Sequence, residues 1–202
     1  MKTMPKKDLD IIFLIDKSGS MYGSEKDTIG GFNSFIDRER KKESNTYITT
    51  ILFSDKYDVL YKRKDINDVA KLTDREYRVG GTTALLDAIG RTITSMDRET
   101  ENKVLFVIMT DGYENASIEY SRDQIKKMIA NHSWEFIYIG ADIDSYREAG
   151  NIGIRRSRTA NYKKSTRGVE NLYRSVECVT KSLRDNVDLD DVDWKKSLRE
   201  YD

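Results

Sequence analysis

The sequence predicts an α/β sandwich built on a mostly parallel sheet. Two observations carry this reading. Short, near-continuous apolar runs rich in β-branched and aromatic residues recur along the chain, the pattern of strands covered on both faces. Between them lie segments whose apolar residues repeat at helical spacing. A third observation points to where function sits. The apolar runs end in aspartate, serine and glycine, and in such folds ligands gather beyond the carboxyl ends of the strands.

Taken in order, the first run is LDIIFLID, residues 9–16. A helix follows over 24–41, with Ile29, Phe32, Phe35 and Ile36 on one face. TYITTILFSD, 46–55, alternates and reads as a half-buried strand. KYDVLYKRK, 56–64, carries the lysines expected of an edge and pairs with it as an antiparallel hairpin. The next helix spans 83–96 with Leu85, Leu86, Ile89 and Ile93, and the strand KVLFVIMTD spans 103–111. A third helix is expected over 117–131 with Ile118, Ile125, Met128 and Ile129, then the strand WEFIYIGAD over 134–142. The last helix, 165–184, carries Val169, Leu172, Tyr173, Val176, Val179 and Leu183. The domain is read as 8–184. Residues 185–202 form a solvated tail or a short docking helix around Trp194, and Pro5, the only proline, precedes the fold.

Composition narrows the function classes. A chain of 202 residues is long enough for one domain with a real core. Lysine plus arginine balances aspartate plus glutamate at 35 each, with no basic block, so the charge offers no footing for nucleic acid or an anionic membrane. No apolar run approaches the roughly 20 residues that span a bilayer. MKTMPKKDLD is basic, but only a strand follows it, not a signal-peptide core. Cys178 is the single cysteine, so no intrachain disulfide forms, which reads as an intracellular, cytoplasmic protein. Cys178 itself reads as a small, partly buried hydrophobe on a helix. His132 is the only histidine, and nothing near it suggests a nucleophile–histidine enzyme.

The strand ends hold the chemistry. Asp16, Ser18 and Ser20 follow the first strand. Asp111 and Gly112 end the 103–111 strand. Gly80, Gly81, Thr82 and Thr83 lie directly before a helix. Singly, each has an ordinary role: threonine caps helices and aspartate forms turns. Jointly, two carboxylates and three hydroxyls from three loops converge on one sheet edge. Such hard oxygen donors suit magnesium, which takes octahedral oxygens at about 2.0–2.1 Å and keeps water ligands. No soft ligands are present to recruit zinc or copper.

Here the residues resemble a known family. DKSGSM, 16–21, resembles the Asp-x-Ser-x-Ser element of von Willebrand factor type A domains, GGTTALLDAI their Gly-Gly-Thr loop, and TDG their second aspartate. Together these form the metal-ion-dependent adhesion site. The segments YIGADIDSYREAGNIGI and YKKSTRGVENLYRSVECVTKSLR are similar to the C-terminal half of small stand-alone bacterial and phage members. The resemblance covers residues 8–182. It implies a Rossmann-like three-layer sandwich, a mostly parallel sheet with one antiparallel edge strand and helices on both faces. It also implies that Ser18, Ser20 and Thr83, with Thr82 the adjacent alternative, contact the metal. Asp16 and Asp111 contact it directly or through water. The ion implied is Mg2+, with Mn2+ or Ca2+ as substitutes.

A metal held by two carboxylates is not over-neutralised, so a partner's Asp or Glu can replace a bound water. The expected function is therefore metal-dependent protein binding. One alternative is an assembly protein whose metal only staples loops. Another is a magnesium-dependent hydrolase, against which stand the absence of a P-loop, of a Gly-x-Gly-x-x-Gly turn and of an Asp-x-Asp pair after the first strand. Lys17, within the first element, reads as solvated, and so does Glu114. Tyr22, Tyr113 and Tyr146 lie near the expected rim.

Overall fold

The computed structural model describes residues 8–42 and 44–199; the basic stretch with Pro5 and the last three residues lie outside them. Six strands form one sheet in the order β3-β2-β1-β4-β5-β6. They are β1 (Leu9–Asp16), β2 (Thr46–Phe53), β3 (Tyr57–Asp65), β4 (Lys103–Thr110), β5 (Glu135–Gly140) and β6 (Thr159–Asn161). All neighbours pair in parallel except β2 with β3, the antiparallel edge. The helices are α1 (Glu25–Glu39), α2 (Leu85–Met96), α3 (Arg122–Ala130), α4 (Ser145–Asn151), α5 (Thr166–Arg184) and α6 (Lys196–Arg199).

Alternation along β1 divides the core into two layers. Leu9, Ile11, Phe13 and Ile15 face α1 and α5, meeting Phe32, Phe35, Tyr173 and Val176. Ile12 and Leu14 face the other way, toward Leu85, Ile89, Ile93 and Ile125 of α2 and α3. The chain is thus a three-layer α/β sandwich with helices on both faces. Phe13 packs edge-on against Phe32 and Phe35 at 5.5 and 5.2 Å between ring centroids. Truncating such a ring to alanine costs about 3–5 kcal/mol. A buried ion pair, Arg184 to Glu39 at 2.6 Å, ties α5 to α1, and the same guanidinium donates to the Thr46 hydroxyl at 2.9 Å.

The structure corrects three expectations. The strand read as half-buried, β2, is buried along nearly its whole length, because β1 and β3 flank it and β3, not β2, forms the edge. The helix expected from residue 117 starts at Arg122, and Ile118 is 92% exposed. Two carboxylates hold residues 116–120 as a loop. Glu114 accepts the backbone N–H of Ala116 and Ser117, and Asp87 accepts those of Ile118, Glu119 and Tyr120. The helix begins only where Ser121 and Gln124 form a reciprocal cap. Finally, α4 and β6 were not anticipated; seven and three residues are too short for periodicity to register.

From Leu189 onward the chain folds back on the domain. Trp194 is buried and donates its indole N–H to the Ser157 carbonyl at 3.0 Å. No helix among the described residues is long and apolar enough to cross a membrane.

Candidate metal centre

Three loops leave the carboxyl edge of the sheet and are stitched together by their own backbones. The loop after β1 donates Gly19 N–H to the Gly81 carbonyl at 3.0 Å and accepts Gly80 N–H on the Lys17 carbonyl at 2.8 Å. The loop after β4 pairs with the one before α2. Thr83 N–H donates to the Asn115 side-chain carbonyl at 2.9 Å, and Asn115 N–H returns to the Thr83 carbonyl at 3.0 Å. Gly81 sits at φ +82°, and a Cβ there would fall 1.9 Å from an Asp55 oxygen, so this crossing requires glycine.

The five residues singled out by sequence come together here. Asp16 and Ser18 are buried at the end of β1, and Asp111 and Thr83 are buried beside them, while Ser20 stands exposed at the rim. Gly112 marks the meeting point. A Cβ on it would lie 2.7 Å from the Thr83 hydroxyl, 3.0 Å from the Ser20 hydroxyl and 3.4 Å from Asp16 Oδ2. Ser18 and Ser20 hydroxyls are 3.0 Å apart. Thr82 is exposed, so of the two threonines Thr83 is the one brought inward.

The two carboxylates are served differently. Asp16 Oδ1 accepts Ser18 N–H at 2.6 Å, and Oδ2 accepts the Thr110 hydroxyl at 2.6 Å. Tyr77 anchors the same residue from below, donating its hydroxyl to the Asp16 carbonyl at 2.6 Å. Burial raises the Asp16 carboxyl above its ordinary pKa; the Thr110 and Ser18 hydrogen bonds oppose that rise, and the Asp111 charge adds to it. Asp111 is buried, yet neither of its oxygens accepts an aligned hydrogen bond. The Lys164 ammonium is in ion-pair contact with Oδ2.

A buried carboxylate without donors is costly unless a cation satisfies it. Among the described residues no three His, Cys, Asp or Glu side chains are grouped so as to hold a metal ion. A cation here would therefore rest on two carboxylates and on hydroxyls, an oxygen-only set that fits a small hard divalent ion.

Sequence reading missed several contributors. Glu114, read as solvated, organises the site from behind. Besides its two loop contacts it accepts Leu86 N–H at 2.9 Å and the Ser117 hydroxyl at 2.7 Å, fixing α2 to the Asp111 loop. Lys17 is buried and paired with Asp58 at 2.5 Å. Thr110 could have been found, since it directly precedes Asp111. Lys164 could not, because only the β6 to α5 turn brings it across the sheet edge. Of the three tyrosines, Tyr22 is exposed, Tyr113 accepts Asp144 N–H, and Tyr146 packs beneath Arg156 and Lys195.

Comparison with known proteins follows from this geometry. A family model for the von Willebrand factor type A domain matches residues 10–174. The chain is similar to a structure of proximal thread matrix protein 1 from the mussel byssus with a zinc-occupied MIDAS motif. Identity is 17% over 89% of this chain and 45% of that one, with TM-score 0.61. It is similar to the vWF domain of the type V pili tip protein Mfa5 from Porphyromonas gingivalis, at 11% identity over 86% and 96% of the two chains and TM-score 0.65. A third likeness is to the ArnB paralog VWA2 from Sulfolobus acidocaldarius, at 20% identity, 81% and 44% coverage and TM-score 0.56. At these identities the likeness is one of fold. The chain spans less than half the length of the mussel protein. No curated protein matches it significantly.

Proposed function

The chain belongs to the von Willebrand factor type A family, and from that premise we propose that it is a divalent-metal-dependent protein-binding module. Asp16, Ser18, Ser20, Thr83 and Asp111 would hold the ion. Once bound, the ion supplies a coordination position that a carboxylate from a partner protein can take. The chain's own residues prepare that exchange. Asp16 is pinned by Ser18, Thr110 and Tyr77, and the Asp111 loop is fixed by Glu114 and Asn115. Hydroxyls rather than further carboxylates complete the set, so the protein would balance a doubly charged ion without over-neutralising it, and a partner carboxylate could still replace a bound water.

One observation carries the proposal most directly: buried Asp111 accepts no aligned hydrogen bond and, among the described residues, meets only the Lys164 ammonium at Oδ2, while oxygens of Thr83, Ser20 and Asp16 crowd the adjacent Gly112. The oxygen-only set favours Mg2+, with Mn2+ or Ca2+ as substitutes. Binding, not catalysis, is the proposed role. The module is proposed to span 8–184, with the segment from 185 as an appendage, and the lone Cys178 favours a cytoplasmic setting. The test is binding of an array of peptides with a central Asp or Glu, and their Asn or Gln counterparts, in Mg2+ and in EDTA. The proposal expects carboxylate peptides to bind only with Mg2+. Equal binding of amide peptides, or binding unchanged by EDTA, contradicts it.

A further inference from the structure

Lys164 lies outside every motif that marks the site, yet its ammonium reaches into the centre. It contacts Asp111 Oδ2, donates to the Ser20 carbonyl at 2.7 Å and lies 3.8 Å from Asp142 Oδ2. The side chain is 23% exposed, against 0% for Asp111. The turn that carries the side chain is held on both sides. Tyr162 N–H donates to the Gly140 carbonyl at 2.9 Å, tying the turn to the end of β5. Ser165 N–H donates to the Lys163 carbonyl at 2.8 Å, and the Ser165 hydroxyl caps α5 by accepting Gly168 N–H at 3.0 Å. The backbone that carries Lys164 is therefore fixed beside the metal-site loops, and its charge is delivered to the one carboxylate left without donors.

We propose that Lys164 is a tethered cation that competes with the divalent ion for Asp111, so that metal enters only as the ammonium leaves. This rests on the metal-site reading above. A monovalent ammonium and a divalent ion cannot both contact one buried carboxylate without strong mutual repulsion. The ammonium offsets the charge of buried Asp111 and so stabilises the fold by itself. It thereby lowers the apparent metal affinity, since metal binding must first break the Lys164 contacts. The arrangement sets a threshold. The site responds to divalent ion at concentrations above those that an unguarded copy of the same five ligands would require.

The test uses Mn2+ alone as probe, by calorimetry and by electron paramagnetic resonance of free Mn2+. Wild type is compared with Lys164→Met, Lys164→Gln and, as a control for net charge, Lys26→Met on the exposed face of α1. The expected result is Mn2+ binding roughly tenfold tighter in both Lys164 variants and unchanged in Lys26→Met. A second readout needs no metal. In EDTA the Lys164 variants should melt lower than wild type by roughly 3–6 °C, because buried Asp111 loses its counter-charge. Tight binding by the variants with none by wild type supports the proposal most strongly. Equal Mn2+ affinity in wild type and Lys164 variants overturns it and leaves the metal site standing. Absence of binding in every protein removes the metal site and this inference together.

Discussion

Asp10 and Asp16 stand at the two ends of one strand, both almost wholly buried, and the protein treats them in opposite ways. At the amino end Asp10 is saturated. Arg63 donates to its oxygens at 2.8 and 3.4 Å, Thr100 at 2.7 Å and Asn102 at 2.8 Å. At the carboxyl end Asp16 has one backbone N–H and one hydroxyl, and its neighbour Asp111 has no aligned donor. The first carboxylate is completed by its own chain and serves the fold. The second pair has fewer partners: beyond Asp16's two hydrogen bonds, Asp111 meets only the Lys164 ammonium among the described residues. Burial alone does not mark a functional acid; the inventory of donors around it does.

The largest expected effect breaks the structural end. Asp10→Ala strands Arg63, Thr100 and Asn102 and should cost about 3 kcal/mol in urea unfolding, with no change in Mg2+ affinity. Loss of Mg2+ affinity in that variant would show the two ends to be coupled. Next, Gly112→Ala drives a methyl group against Thr83 and Ser20 oxygens. It should destabilise by about 1–3 kcal/mol and abolish metal binding by calorimetry. A variant that still binds Mn2+ normally would place the cation elsewhere. Glu114→Ala removes four accepted hydrogen bonds from the loop behind the site. It should lower stability by about 1–2 kcal/mol and weaken, without abolishing, metal binding. The smallest change in stability separates the adjacent threonines. Thr82→Ala and Thr83→Ala should both stay within about 1 kcal/mol of wild type, yet only Thr83→Ala should lose Mn2+ affinity.

Much of this was legible in the sequence because it rests on local rules. β1 was read to its observed ends, since a near-continuous apolar run terminated by Asp16 has few other solutions. The motif spacing brought Asp16, Ser18, Ser20, Thr83 and Asp111 into one list, and the fold gathers them around Gly112. What stayed hidden depends on contacts between distant segments. Ile118 mimics a helical core position, but Asp87, some thirty residues earlier, captures its backbone and unwinds the helix start. Glu114 looked solvated because its long-range donor, Leu86 N–H, lies on α2; its other three donors sit two and three residues ahead, on Ala116 and Ser117. Lys164 carries no local signature at all; its meaning comes from a three-residue strand that sequence periodicity cannot detect.

The central claim is that the carboxyl end of β1 is built to be completed by a divalent ion. The most direct test is thermal unfolding of wild type and Asp16→Asn in EDTA and in about 10 mM Mg2+. With a dissociation constant tenfold below that concentration, mass action adds about 1.4 kcal/mol. For a domain of this size that raises the wild-type midpoint by roughly 3–6 °C. The account predicts this rise in wild type and none in Asp16→Asn. A rise of the same size in both proteins, or none in wild type together with no Mn2+ binding by wild type or by Lys164→Met in calorimetry, would contradict it.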